Sequence, residues 1–453
     1  MAGYMTFPQH LRAVLVLGLP LVGSHLAQFA VHMVDTIMLG WYDVTALAAS
    51  VLATSFFFVV FIMGAGFSFA VMPMVAEAAA SENGTRIRRV TRMGLWLSSL
   101  YALAFLPLMI WSDPLLRALG QDPELSALSQ DYLRIAGFGL FPALLVMVIK
   151  SYLAALERTG VVLWVTIMAV FLNVLVNYAL IFGNLGMPEL GLRGAAIASV
   201  ISQVVTLAVL GVYVMRGSAT REHVLFQRIW RPDPEAFREV FRLGWPIGLT
   251  NLAESGMFSA SALIIGLIGT LPLAAHGIAL QITAATFMIH VGLSQAATVR
   301  AGRAMGRRDW DGLALGARAV VMLSMGAVVL ATIAFLTVPE LLMTGFLDPD
   351  SPDRTAILTI GASLLVVAAL FQLVDAGQVM ALGLLRGIQD TRWPMYAAAL
   401  SYWGLGIPAS YVLGVSLGYG GVGVWLGLVI GLMFAAGALW WRFARRYAEL
   451  KVA

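Results

Sequence analysis

The sequence predicts an all-α polytopic membrane protein, with about twelve transmembrane helices in two pseudo-symmetric six-helix bundles. Three observations carry that expectation. The 453 residues are 60% hydrophobic and 11% charged, with a mean hydropathy of +0.87, which leaves too little polar surface to cover a water-soluble globule. Apolar runs of about 20 residues or more, the length that crosses a hydrocarbon core, recur along the whole chain. Arg collects in every second loop, the pattern expected when alternate loops face the cytoplasm.

Bounded by Arg, Pro, Gly and acidic clusters, the runs fall at residues 11–39, 46–78, 91–111, 131–155, 160–183, 190–215, 239–268, 272–299, 314–338, 355–385, 393–416 and 420–441. The first is too long for the apolar stretch of a signal peptide, so it is expected to stay as the first helix. The polar stretch between the sixth and seventh, with Arg231-Pro232-Asp233-Pro234, is the longest break in hydrophobicity. It reads as a cytoplasmic linker, 216–238, between an N-terminal bundle, 1–215, and a C-terminal bundle, 239–453. A shift of 226 residues lays Gly40 on Gly266, Leu47-Ala48-Ala49 on Leu273-Ala274-Ala275, and Gly66 on Gly292. The halves therefore read as repeats, and an even number of spans in each starts both on the same side.

Orientation follows from the loops. Arg86 to Arg92, Arg216 to Arg231, Arg300 to Arg308, Arg386, Arg392 and Arg442 to Arg446 share one side, while Asp113, Asp122, Glu124, Glu340, Asp348, Asp350 and Asp353 lie toward the other. By the positive-inside rule both termini are cytoplasmic. The same segregation accounts for the pI of about 9.4 without nucleic acid as a partner. The chain has no Cys, which removes disulfides, thiolate metal sites and cysteine nucleophiles together. Gly302 to Arg308 forms a basic turn without the Gly-Lys-Ser/Thr of a phosphate-binding loop. No cofactor and no enzyme chemistry are expected, so an ion gradient is left as the energy source.

Acids inside the spans carry the functional reading. Asp35, Glu254 and Asp375 lie in the first, seventh and tenth runs, where an uncompensated carboxylate costs roughly 2.5–3.5 kcal/mol. On a helix, Phe371 and Gln378 stand four residues before Asp375 and three after it, on the same face. A carboxylate there can hold a proton or exchange it for Na⁺ or an organic cation, the physical basis of an antiporter. The lower-ranked candidates for the ion or substrate shell are Asn173 and Asn177, Gln281 and Phe287; buried amides of this kind also serve as interhelical glue. His25, His32, His276 and His290 lack metal-ligand spacing, and a structural role is the simpler reading. Met and Phe residues suit a deformable chamber for amphipathic cations, although such residues line cores and lipid faces by default.

The chain resembles the multidrug and toxic compound extrusion (MATE) transporters, in their NorM-like branch. Val34-Asp35-Thr36-Ile37-Met38-Leu39-Gly40 looks like the family's helix 1 signature, and Glu254 stands where the branch has its helix 7 acid. Asp375 followed by Leu384-Leu385-Arg386-Gly387-Ile388-Gln389-Asp390-Thr391 looks like the helix 10 acid and the loop after it. The resemblance implies efflux of cationic or amphipathic small molecules in exchange for Na⁺ or H⁺, by a monomer in lipid of the bacterial inner membrane. Glu254 and Asp375 would form the C-terminal cation site, the Na⁺ candidate, and Asp35 the N-terminal acid. Some members carry Tyr one turn before the helix 10 acid; Phe371 keeps the π face and lacks the hydroxyl. The alternative is a lipid-linked oligosaccharide flippase of a related fold, which calls for a cationic cavity to hold pyrophosphate.

Overall fold

A computed structural model describes residues 5–217, 220–347 and 352–452. Asp348 and Asp350, counted above among the outer-loop acids, lie outside the described residues. Among the described residues there is no strand, and twelve helices are long and apolar enough to cross a membrane. They are α1 (Phe7–Tyr42), α2 (Val44–Ala80), α3 (Gly84–Ile110), α4 (Pro123–Ala155), α5 (Thr159–Phe182), α6 (Gly191–Arg216), α7 (Pro234–Ile268), α8 (Thr270–Arg307), α9 (Trp310–Thr337), α10 (Arg354–Gly387), α11 (Arg392–Ser416) and α12 (Gly420–Val452). The all-α, twelve-span expectation holds.

Several helices overrun their apolar runs because caps and ion pairs carry them beyond the hydrocarbon. Asn83 starts α3 early by accepting from the Arg86 N–H at 3.0 Å. Asp122 caps α4 through the N–H groups of Glu124 and Leu125 at 2.9 and 3.1 Å, and Pro123 follows where its missing N–H costs nothing. At the far end of α12, Arg445 and Arg446 both reach Glu449, at 3.2 and 2.7 Å. These pairs sustain the turns beyond residue 441. Gly183, at φ +70°, stops α5 in the left-handed conformation.

One span departs from the expected regular helix. In α11, π-helical turns over Leu400–Gly406 and Val412–Ser416 flank an α segment, Ile407–Tyr411. Pro408 has no N–H to give to the preceding turn and its ring crowds the carbonyl there, so the ladder widens around it.

The chain divides into two compact units, residues 1–22 with 249–453 and residues 23–248, and the breaks fall inside α1 and α7. In the 23–248 unit, α4 is the central helix, packed on α2, α3 and α6, around Leu133, Leu140, Leu144 and Ile181. Close approach of backbones there depends on Gly66: a Cβ at that position would stand 2.5 Å from the Gly244 carbonyl oxygen and 2.7 Å from the Gly248 Cα. In the other unit α10 is central, packed on α8, α9 and α12, with Leu364, Leu365, Trp425 and Leu432 in its core. Large apolar side chains such as Val16, Trp164, Phe171 and Leu263 point outward. Such a surface is a liability in water and a complement to lipid, as befits a multi-pass membrane protein.

Candidate functional site

Each unit holds a cluster built on a carboxylate inside apolar helices. In the unit of residues 1–22 and 249–453, Asp375 of α10 is 2% exposed, and its Oδ1 has no hydrogen-bond partner. Glu254 of α7 joins it through Gln378, whose Nε2 donates to Glu254 Oε1 at 3.2 Å. The two carboxylates lie within electrostatic reach of each other. The Gln378 Oε1 is also buried without a partner. An orphaned carboxylate oxygen beside an orphaned amide oxygen is a costly arrangement for a fold. It is also a ready set of hard oxygen ligands for a cation.

Two further residues complete this cluster, neither of them a site candidate in the sequence. Arg386, assigned above to the charged loop side, is drawn into the bundle: it donates through Nη2 to Asn251 Oδ1 at 2.7 Å, and its charge acts on Glu254. Helical side chains lean toward the N-terminus of their helix, so this long residue in the last turn of α10 reaches back along it. The second is Tyr402, in the π-helical part of α11. It is fully buried, its hydroxyl has no partner, and it lies within electrostatic reach of Glu254, Asp375 and Arg386. Its neighbour Trp403 donates to the Ala253 carbonyl at 3.1 Å, which docks the π segment on the turn that bears Glu254. A period-based reading finds neighbours on one helix and cannot find a residue brought in by another. The only local signal was Pro408, which marks α11 as irregular.

Phe371 lies one turn from Asp375, 1% exposed. Its ring packs T-shaped against Phe258 and Trp425, with centroids 5.9 and 5.5 Å away, and Trp425 donates to His276 Nδ1 at 3.1 Å. Phe371 thus forms part of an aromatic floor beneath the acid. Gln281 is exposed and Phe287 half-buried on α8, and among the described residues no hydrogen bond or ring contact joins either to the acid pair. His290 is held by Ser324 at 2.9 Å, so His276 and His290 both have structural partners.

In the 23–248 unit, Asp35 of α1 meets the i, i+4 amides of α5. Asn177 donates through Nδ2 both to Asp35 Oδ1, at 2.5 Å, and to Asn173 Oδ1, at 3.0 Å. Tyr132 of α4, bonded to Ser199 of α6, lies within electrostatic reach of Asp35; neither was singled out in the sequence. An apolar groove of about 620 Å³ is formed on the same two helices, α1 and α5, by Val34, Met38, Trp41, Phe171, Val174 and Tyr178 among others, which include the chain neighbours of Asp35 and Asn177. The arrangement pairs a carboxylate with an adjoining apolar surface.

The MatE family model matches residues 20–179 and 246–412, stretches that hold all three acids. The chain belongs to the MatE family. Among MatE-family relatives, it is 45% identical over 434 residues to the probable multidrug resistance protein NorM of Agrobacterium fabrum, covering 96% of this chain and 93% of that one. With the protein of the same name from Rhizobium meliloti it shares 44% over 448 residues, 99% of this chain and 96% of the relative. Its fold is that of the eukaryotic MATE transporter AtDTX14, at a TM-score of 0.86 and 18% identity over 98% of this chain and 99% of the other. A multidrug resistance MATE family transporter in an outward-facing conformation gives 0.87 and 21% over 99% of both. At these identities the structural likeness speaks for the MatE fold alone.

Proposed function

We propose that this chain is a secondary active multidrug efflux transporter, exchanging cationic or amphipathic drugs for Na⁺ or H⁺ by alternating access. The observation that carries the reading is the buried Asp375 Oδ1, left without a partner beside Glu254. A carboxylate so placed is unfavourable until a cation or a proton joins it. With Arg386 close to Glu254, the cluster holds one net negative charge when both acids are ionised, and none once a single proton, Na⁺ or monovalent organic cation enters. Each of these neutralises the same site, so occupancy by one excludes another, which is the competition that exchange requires.

The relatives' name, probable multidrug resistance protein, supports the same substrate class. Asp35, backed by Asn177 and flanked by the apolar groove, serves as the acid of the other unit, for a proton or for the cationic end of a substrate. The Na⁺ candidate remains Glu254 with Asp375, completed by the Gln378 amide oxygen. The protein is read as a monomer in the inner membrane of a bacterium; both termini are read as cytoplasmic because its Arg residues gather on one side. The acids of the clusters oppose the cationic cavity that an oligosaccharide flippase would need.

The experiment is ethidium transport in proteoliposomes with a Na⁺ gradient and a proton gradient imposed separately. Efflux under at least one gradient is expected, and the one that drives it names the coupling ion. Absence of gradient-driven transport for a panel of cationic dyes, with folded protein in the vesicles, overturns the reading.

A further inference from the structure

The segment between α6 and α7 is not a slack connector. Within the 23–248 unit it is fastened along its length: Tyr152 Oη meets His223 Nδ1 at 2.8 Å, Leu225 is buried, and Arg92 Nη1 donates to the Arg228 carbonyl at 3.1 Å. Trp96 Nε1 donates to the Ile229 carbonyl at 2.7 Å, and Arg89 holds Asp233 at 2.5 and 3.0 Å. These bonds set its depth. Trp96 stands about 18 Å along α3 from Gly84 at 1.5 Å per residue, just past the point where α3 turns from Arg-rich to apolar at Met93-Gly94-Leu95. The next residue of the strap, Trp230, is 73% exposed, at the polar–apolar boundary where tryptophan rings concentrate in membrane proteins.

The charges around it are unbalanced. Arg86 has Glu77 and Glu239, and Arg89 has Asp233 and Glu235. Arg88 has only the Gln227 amide, at 3.4 Å, and no carboxylate among the described residues is paired with Arg92, Arg228 or Arg231. Arg92 is 7% exposed and its Nε has no partner; Asp233, already held by Arg89, is the one carboxylate that attracts it, against the repulsion of Arg88, Arg231 and Arg89. Arg228 also holds a left-handed backbone, φ +53°, a strained conformation for a residue other than glycine or asparagine. A buried guanidinium with a free N–H, facing three arginines and a single carboxylate that another arginine already holds, calls for a further anion.

We propose that Arg88, Arg92, Arg228 and Arg231 with Trp230 form a binding site for the phosphate headgroup of an anionic phospholipid on the Arg-rich face of the membrane. The guanidinium groups take the phosphate oxygens, and the indole sits at the level of the headgroup and upper acyl chain. A zwitterionic lipid brings its own cation into the same cluster, so the site discriminates against it.

The test reconstitutes the full chain in phosphatidylcholine vesicles doped with acyl-brominated phosphatidylglycerol or, at equal mole fraction, acyl-brominated phosphatidylcholine. The quenching lost on Trp230→Phe isolates the signal of this one tryptophan, and quenching of the others reports that the bundle is intact. Severalfold stronger quenching of the Trp230 component by the anionic lipid is expected. Arg231→Gln, an exposed change, lowers that preference, and Arg92→Gln with Arg231→Gln brings the two lipids level. Equal quenching by both lipids in the unmodified protein marks a belt tryptophan without headgroup selection and overturns the proposal. So does quenching by neither lipid, or a preference that survives both substitutions. No transport step enters the test, so it stands apart from the exchange reaction above.

Discussion

Tyr402→Phe separates a functional hydroxyl from a structural one. The ring is fully buried and its oxygen has no partner. Removing the oxygen leaves the packing of the ring unchanged and relieves the desolvation of an orphaned polar group, worth about 1–3 kcal/mol. In detergent without substrate, the variant is therefore expected to be as stable as the parent or more so, read as the midpoint of thermal unfolding. Transport is expected to move the other way. A hydroxyl that hydrogen-bonds an ionised carboxylate or completes a cation shell contributes about 1.5–3 kcal/mol, so its loss weakens the apparent affinity for the coupling cation roughly ten- to one-hundred-fold at 1.4 kcal/mol per decade. The assay titrates the driving cation in proteoliposomes and separates its half-saturating concentration from the maximal rate. A variant that is destabilised, with transport reduced only in proportion to folded protein, refutes the role. So does a variant with unchanged cation dependence.

Three further substitutions probe other parts of the structure. Asn177→Ala removes the donor that serves both Asp35 and Asn173, at about 1–2 kcal/mol for an interhelical hydrogen bond in a membrane; drug efflux should fall while the protein still elutes as a folded species on size-exclusion chromatography. Gly66→Ala drives a methyl group into the α7 backbone at Gly244 and Gly248, and overpacking of about 1–3 kcal/mol should appear as a lower unfolding midpoint. Arg89 holds the Asp233 carboxyl below the ordinary aspartate range through its hydrogen bonds. That contribution is fully present above the ordinary aspartate pKa and is lost as pH falls through the lowered value, so proteolysis of the 220–233 strap should accelerate on acidification across that window. In Asp233→Asn the protection is absent at neutral pH, and this acid-dependent component disappears.

Much of this molecule was legible before the structure. Apolar run length and Arg segregation located twelve spans because lipid forces each crossing segment to satisfy its own backbone, which leaves a long uniform signal. Asp35, Glu254 and Asp375 were legible because a charge in such a run is exceptional, and Gln378 because helical spacing put it on the face of Asp375. Tyr402, Tyr132 and Arg386 were not. The first two are ordinary residues made polar neighbours of an acid by the packing of another helix, and Arg386 reads as a loop charge until its side-chain direction is known. Phe371 was correctly placed one turn from the acid, but the aromatic partners that enclose it come from α7 and α12. Gln281 shows the converse: a polar residue in an apolar run is conspicuous in sequence whether or not it faces a site.

The central claim is that the unpartnered carboxylate of Asp375 is where the driving cation and the drug compete. Asp375→Asn keeps the size and polarity of the side chain and removes the charge, and the measurement is gradient-driven ethidium efflux in proteoliposomes with protein content and folding matched. Loss of gradient-driven efflux, with ethidium still bound or leaking passively, is the predicted result. Efflux at the unsubstituted rate under the same gradient contradicts it.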